Sequence, residues 1–265
     1  MQQGTAVVTG ASSGIGKAYA QELARRGHDL VVAARDEARL SALAAQLSAD
    51  HGVTVDVVRA DLADSADVTR LAERITSDPR ISALVNCAGL WIAGRTLGSD
   101  SPDHGPMLAV NVVALQELTL AAATAFIARG GGGIINISSA VVMAPERFHA
   151  LYVAGKAYVL ALTEALQSEV AGTGVRLQAV LPGFTKTEIF DRAGGDVSAI
   201  PDAMKMAPDL LVEAALAGFD AGETVTIPSL PDVADWEAFL AARAALGPNL
   251  SHDRPAPRYR LSAAV

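Results

Sequence analysis

Val7-Val8-Thr9-Gly10-Ala11-Ser12-Ser13-Gly14-Ile15-Gly16 sets three glycines between an apolar β-branched run and the start of an amphipathic stretch. A strand-turn-helix of this kind turns backbone N–H groups and the positive end of a helix dipole toward a pyrophosphate. Glycine is needed where a side chain would block the turn, the approach of the phosphate, or the packing of helix on strand. The spacing G-x3-G-x-G differs from the commoner G-x-G-x-x-G. The context nevertheless predicts a dinucleotide site at Gly10, Ser12, Ser13, Gly14, Ile15 and Gly16.

Outward from that turn, short apolar runs alternate with longer amphipathic or alanine-rich stretches. Ala6-Val7-Val8, Leu30-Val31-Val32, Val53 to Val58, Ala83-Leu84-Val85, Ile134 to Ile137, Val175 to Leu181 and Thr224 to Ile227 read as buried strands. Stretches of helical length lie between them, at about residues 14–26, 36–49, 64–77, 106–129, 149–172 and 208–220. Unbroken alternation predicts an α/β fold over residues 1–247: a single doubly wound parallel-sheet Rossmann domain of about seven strands, with helices on both faces. A helix is expected around Asp232 to Leu246. Pro248, Pro255 and Pro257 mark residues 248–265 as an irregular C-terminal tail.

The 265 residues are 51% hydrophobic and 19% charged, which excludes a disordered chain and a disulfide miniprotein. A net charge of -8 argues against bulk attraction to nucleic acid or an anionic membrane, so the expected partner is a small molecule. Cys87 is the only cysteine, which excludes an intrachain disulfide and suits a reducing compartment. No basic leader precedes the first apolar run. Charge or glycine interrupts the apolar runs before the roughly 20 residues a bilayer demands, so a cytoplasmic protein without a membrane span is expected. His28, His51, His104, His149 and His252 show no metal spacing, and no metal site is expected. His149 is read as an exposed residue at a helix start, with pocket lining as the other reading.

The second strand runs into Arg35-Asp36, where a dinucleotide fold reads the adenosine ribose. Arg35 suits a 2′-phosphate and favours NADP over NAD. Asp36 either caps the next helix or turns inward and favours NAD.

Farther along, Tyr152 and Lys156 lie four residues apart on an expected helix and share one face. That spacing is about 6 Å along the axis, close enough for an ammonium to stabilise a phenolate without bonding it. Ser138-Ser139 ends the preceding strand, at the carboxyl edge where parallel sheets bind ligands. With Thr9-Gly10-Ala11-Ser12-Ser13-Gly14-Ile15-Gly16, Asn86-Cys87-Ala88-Gly89, Asn111 and Pro182-Gly183-Phe184-Thr185-Lys186-Thr187, and with Ser139 thirteen residues before Tyr152, the pattern resembles the short-chain dehydrogenase/reductase family over about residues 4–190.

The resemblance implies roles. Tyr152 looks like the general acid of ketone reduction and the base of alcohol oxidation, and Ser139 like the partner of the substrate oxygen. Lys156 resembles the residue that grips the nicotinamide ribose and lowers the tyrosine pKa; Asn111 matches the helix residue in the proton relay. Asp61 and Leu62 resemble an adenine contact, although Asp61 reads equally as a cap or loop carboxylate. Asn86, Ala88 and Gly89 resemble the cofactor-side strand end, and Pro182, Gly183, Thr185 and Thr187 the loop that meets carboxamide and pyrophosphate. Cys87 departs from the family's second asparagine and is expected to be an inert buried thiol.

Residues 184–207 fall where the family places its substrate loop; Phe190, Ile200, Met204 and Met206 suggest an apolar substrate, with Trp91 and Ile92 as an opposite wall. The expected activity is NADP(H)-dependent reduction of ketones or oxidation of secondary alcohols, in a homodimer or homotetramer. Alternatives are the same chemistry with NAD, or a non-catalytic nucleotide sensor or scaffold.

Overall fold

The computed structural model describes residues 4–98, 101–194, 198 and 200–259. Among them are β1 (Thr5–Thr9), β2 (Asp29–Ala34), β3 (Val55–Arg59), β4 (Ile81–Asn86), β5 (Gly132–Ile137), β6 (Val175–Val180) and β7 (Val225–Thr226). All pair in parallel, in the order β3-β2-β1-β4-β5-β6-β7. The order reverses between β1 and β4, which opens a crevice at the carboxyl ends of these two strands.

The helices are α1 (Gly14–Arg25), α2 (Glu37–His51), α3 (Ser65–Ser77), α4 (His104–Leu108), α5 (Leu115–Ala128), α6 (Ala150–Glu169), the short α7 (Ile189–Arg192), α8 (Pro208–Ala221) and α9 (Val233–Ala244). Successive strand residues face opposite sides, so each strand feeds two cores. Ala6, Val8, Leu30 and Val32 pack under Leu23 of α1, Leu43 of α2 and Phe219 of α8. Val7, Val31 and Leu84 pack under Leu71 of α3, Phe126 of α5 and Leu166 of α6. This is the doubly wound Rossmann-like sheet the alternation implied. Asp36 and Asp64 cap α2 and α3 by accepting from the N–H groups of Arg39 (3.0 Å) and Ala66 (2.9 Å).

The stretch read as one helix over 106–129 is helical from His104 to Ala128, but Ala109–Ala114 forms a π-helical turn between α4 and α5. These 25 residues are long and apolar enough to cross a bilayer by length and composition. Here their apolarity serves the core, where Leu118, Ala122 and Phe126 lie buried against the sheet.

The chain forms two compact units, one ending at Pro228 and the other starting at Ser229. The second contains α9, on which Trp236 stacks against Phe239 at 5.2 Å, followed by short 3-10 turns at Gly247–Asn249 and Pro257–Tyr259. The rest of the tail, 260–265, lies outside the described residues.

Candidate active site

The turn after β1 is as narrow as its glycines imply. Gly10 has φ +69°, and a Cβ there would stand 2.8 Å from the Ala88 Cα. A Cβ on Gly16 would come within 2.4 Å of the Gly10 carbonyl oxygen, and one on Gly14 within 3.0 Å of the Thr187 methyl. Ser13, at the N-cap of α1, makes no side-chain capping bond, so its side chain takes up none of the helix's first N–H groups.

Thr9 ties this turn to the end of β4. Its hydroxyl accepts from the N–H groups of Cys87 (3.0 Å) and Ala88 (3.1 Å). Asn111, buried in the π turn, holds the next residues: its Oδ1 accepts from the Leu90 N–H and its Nδ2 donates to the Leu90 carbonyl, each at 2.8 Å. A Cβ on Gly89 would stand 3.5 Å from Asn111 Oδ1 and 3.8 Å from Lys156 Nζ, which puts the strand end, the π turn and the lysine side by side.

At the end of β5, the Ser138 hydroxyl donates to the Lys156 carbonyl at 2.7 Å, fixing the first turns of α6 against the sheet. The Ser139 side chain accepts from the Val141 N–H at 3.4 Å. Its hydroxyl also lies 3.4 Å from the Pro182 carbonyl, to which it donates. Lys156 is buried, donates to the Ile137 carbonyl at 2.8 Å and stands 5.7 Å from the centre of the Tyr152 ring. Burial pulls this amine down to about 8. The sequence led to the expectation of a phenol acidified by Lys156. Burial instead pushes Tyr152 up to about 12, and the nearby Ser139 hydroxyl is what acts against it. The amine is turned to the Ile137 carbonyl, which explains why it does not dominate the phenol.

The loop after β6 closes the site. Thr185 pairs with Met206, the Lys186 N–H donates to the Met206 carbonyl (2.9 Å), and the Met206 N–H to the Phe184 carbonyl (2.9 Å). Thr185 also donates to the Gly183 carbonyl at 3.2 Å. A groove of about 940 Å³ runs past Ser12, Ser13, Gly14, Thr187 and Phe184, lined by charges of both signs: Lys17, Arg39, Lys186 and Lys205 against Glu188, Asp191 and Asp209. Residues 195–197 and 199 of the expected substrate loop lie outside the described residues.

Several expected residues have other partners. Asp36 is the cap of α2, and Arg35 makes no hydrogen bond or ion pair among the described residues. Asp61 accepts from the Ala63 N–H (3.1 Å), as a loop carboxylate does, and Leu62 is buried against α3. The Asn86 side chain turns away from the crevice and donates to Thr119 and Asn136, each at 3.0 Å. Cys87 is a free thiol that burial pushes up to about 12, so it is inert at neutral pH. His149 corrects its reading as an exposed residue: it is only 3% exposed and packs on His104, ring centres 5.4 Å apart. Two features had no sequence signal. Arg39 pairs with Glu188 across 149 residues at 2.8 Å, and Phe148 meets Phe184 at 6.4 Å.

The short chain dehydrogenase family model matches residues 4–197. A short-chain dehydrogenase from Sphingobium yanoikuyae, solved in complex with NADPH, is 44% identical with a TM-score of 0.92, over 97% of this chain and 100% of that one. The bulky-bulky ketone specific alcohol dehydrogenase from Comamonas testosteroni is 37% identical with a TM-score of 0.89, over 98% and 99%. An uncharacterized oxidoreductase from Staphylococcus saprophyticus is 34% identical over 190 residues, 71% of this chain and 81% of the relative.

Proposed function

Because this chain belongs to the short-chain dehydrogenase family, we propose that it is an NADP(H)-dependent alcohol dehydrogenase or carbonyl reductase, acting on a ketone or secondary alcohol. The observation that carries this reading is the buried Lys156 amine 5.7 Å from the centre of the Tyr152 ring, with Ser139 beside it at the carboxyl edge of the sheet.

The glycine cradle fits a dinucleotide, since a Cβ at Gly10 or Gly16 would fill it and the start of α1 has no side-chain cap. Gly10, Ser12, Ser13, Gly14, Ile15 and Gly16 would hold the pyrophosphate with Thr187; Ala88, Gly89, Pro182, Gly183, Thr185 and Lys156 would flank the nicotinamide half. Arg35, whose side chain has no partner among the described residues, would take the 2′-phosphate, which favours NADP. When bound, that group supplies or accepts the hydride.

The chain's own residues handle the proton. With Tyr152 held at about 12, the phenol carries its proton at neutral pH, the state required to protonate a carbonyl oxygen during reduction. Ser139 orients that oxygen from the other side. For oxidation the phenol must act as a base; moving a tyrosine from its ordinary 10 to 7 already requires roughly 4 kcal/mol. The Lys156 ammonium is the charge this chain can bring to that task. The Asn111 amide is taken up by Leu90, so its relay role falls to its main chain in the π turn.

NADPH and NADH turnover over a panel of ketones and secondary alcohols tests the reading. Tyr152→Phe is expected to abolish turnover while cofactor binding persists, and Arg35→Ala to raise the KM for NADPH. Binding without turnover anywhere in the panel would instead mark a nucleotide sensor or scaffold. Leu108, Val113, Leu120 and Ile127, exposed along the His104–Ala128 helix, are read as a contact within a homodimer or homotetramer, which light scattering tests.

A further inference from the structure

Four aromatic rings form a continuous arc that belongs to neither core. Trp91, just after β4, meets Phe190 of α7 edge-on, ring centres 5.1 Å apart and planes at 75°. Phe190 meets Phe184 at 6.2 Å, and Phe184 meets Phe148 at 6.4 Å, with tilts of 46° and 53°. None of the four is part of the residue sets that fill the two faces of the sheet, and all remain partly exposed. A cluster that only stabilised the fold would be sealed inside it.

The arc is anchored at the reacting end of the site. Phe148 lies in extended backbone four residues before Tyr152, next to the N-cap of α6, and Phe184 lies two residues after Pro182, whose carbonyl accepts from Ser139. Phe184 and Phe190 also border the groove that reaches the glycine loop. Tilted rings about 5 to 6 Å apart present alternating edges and faces, the arrangement in which another aromatic ring gains more than an alkyl ring of equal size, because ring quadrupoles attract edge to face. Aliphatic side chains would bury area alone.

We propose that Trp91, Phe148, Phe184 and Phe190 form a recognition wall for an aromatic ring on the substrate, so that the substrates are ketones, or the matching secondary alcohols, with an aryl group close to the carbonyl carbon. This rests on the oxidoreductase reading above. During reduction the carbonyl carbon gains the nicotinamide hydride and its oxygen gains the Tyr152 proton; the aryl ring takes no part in bond making.

The test compares 1-phenylpropan-2-one with 1-cyclohexylpropan-2-one, in which the ring is not conjugated with the carbonyl and electronic reactivity is matched. With the whole chain and NADPH, kcat/KM is expected to favour the phenyl ketone by about threefold to tenfold. In Trp91→Leu and Phe190→Leu the ratio is expected to fall toward one. The ratio does not depend on the fraction of active protein, so a partly misfolded variant still reports. Equal kcat/KM for the two ketones in the unaltered protein, or a preference that survives both substitutions, would overturn the wall and leave the oxidoreductase reading standing. Absence of turnover with every ketone and alcohol would overturn both.

Discussion

At the scale of single residues, the site depends on atoms that are missing as much as on those present. Gly10 combines a left-handed φ with a backbone neighbour 2.8 Å from where its Cβ would stand. Gly10→Ala is therefore expected to destabilise by at least about 2 kcal/mol and to weaken cofactor binding, read by thermal denaturation and by titration. Tyr19 gives the opposite case. It is fully buried in α1, its hydroxyl has no hydrogen-bond partner among the described residues, and burial pushes its ionisation well above the ordinary value. Tyr19→Phe is expected to leave stability unchanged or raise it by up to about 1 kcal/mol; a loss larger than that in chemical denaturation would mean the hydroxyl has a partner. Gly10 was legible in the sequence because its neighbours in the chain define the turn. The burial of His149 was not, because its neighbour His104 is 45 positions away in sequence (149 − 104).

Between elements, α6 is held in register by a line of buried polar side chains. Asn86 of β4 donates to Asn136 of β5 and to Thr119 of α5; Thr119 donates to Asn136 at 3.1 Å; Asn136 in turn donates to Thr163 of α6 at 3.0 Å. Thr163 sits on the helix that bears Tyr152 and Lys156. Asn136→Ala removes the hub and its three hydrogen bonds, while Asn86 keeps its bond to Thr119 and Thr163 its bond to the Val159 carbonyl. The expected result is a loss of roughly 2–3 kcal/mol, a Tm lower by several degrees, and a reduced kcat with little change in KM. A lowered Tm with an unchanged kcat would show that other contacts suffice to place α6. The sequence revealed that Tyr152 and Lys156 share a helical face, since the helical period alone decides this. It gave no hint that Asn86 belongs to this line rather than to the crevice, because its partners come from two other elements.

For the whole molecule, the buried ionisable groups predict a stability profile with two limbs. His28 and His149 are held below their ordinary 6.5, chiefly by burial, so the unfolded chain binds protons there that the folded one resists. Stability is then full above about pH 6.5 and falls as pH drops below it. Cys87 is raised from 9.0 to about 12 and Tyr152 from 10.0 to about 12, so the folded form resists deprotonation and stability falls again above about pH 9. Lys156, lowered from 10.5 to about 8, acts the other way and gains stability as pH rises between those values, which softens the alkaline limb. Tm measured from pH 5 to 11 is expected to form a plateau between the limbs, and Cys87→Ala to flatten the alkaline one. By itself, the sequence determined the alternation of strands and helices, the two-faced doubly wound sheet, the glycine turn, and the spacing of Ser139, Tyr152 and Lys156, because each is written in a local period or a turn of adjacent residues. Only the tertiary structure decided which way Lys156 points, that burial holds the phenol near 12, that Asn86 serves the interior, and that Trp91, Phe148, Phe184 and Phe190 meet. Dielectric surroundings and side-chain contacts arise from elements far apart in the chain, and no local pattern encodes them.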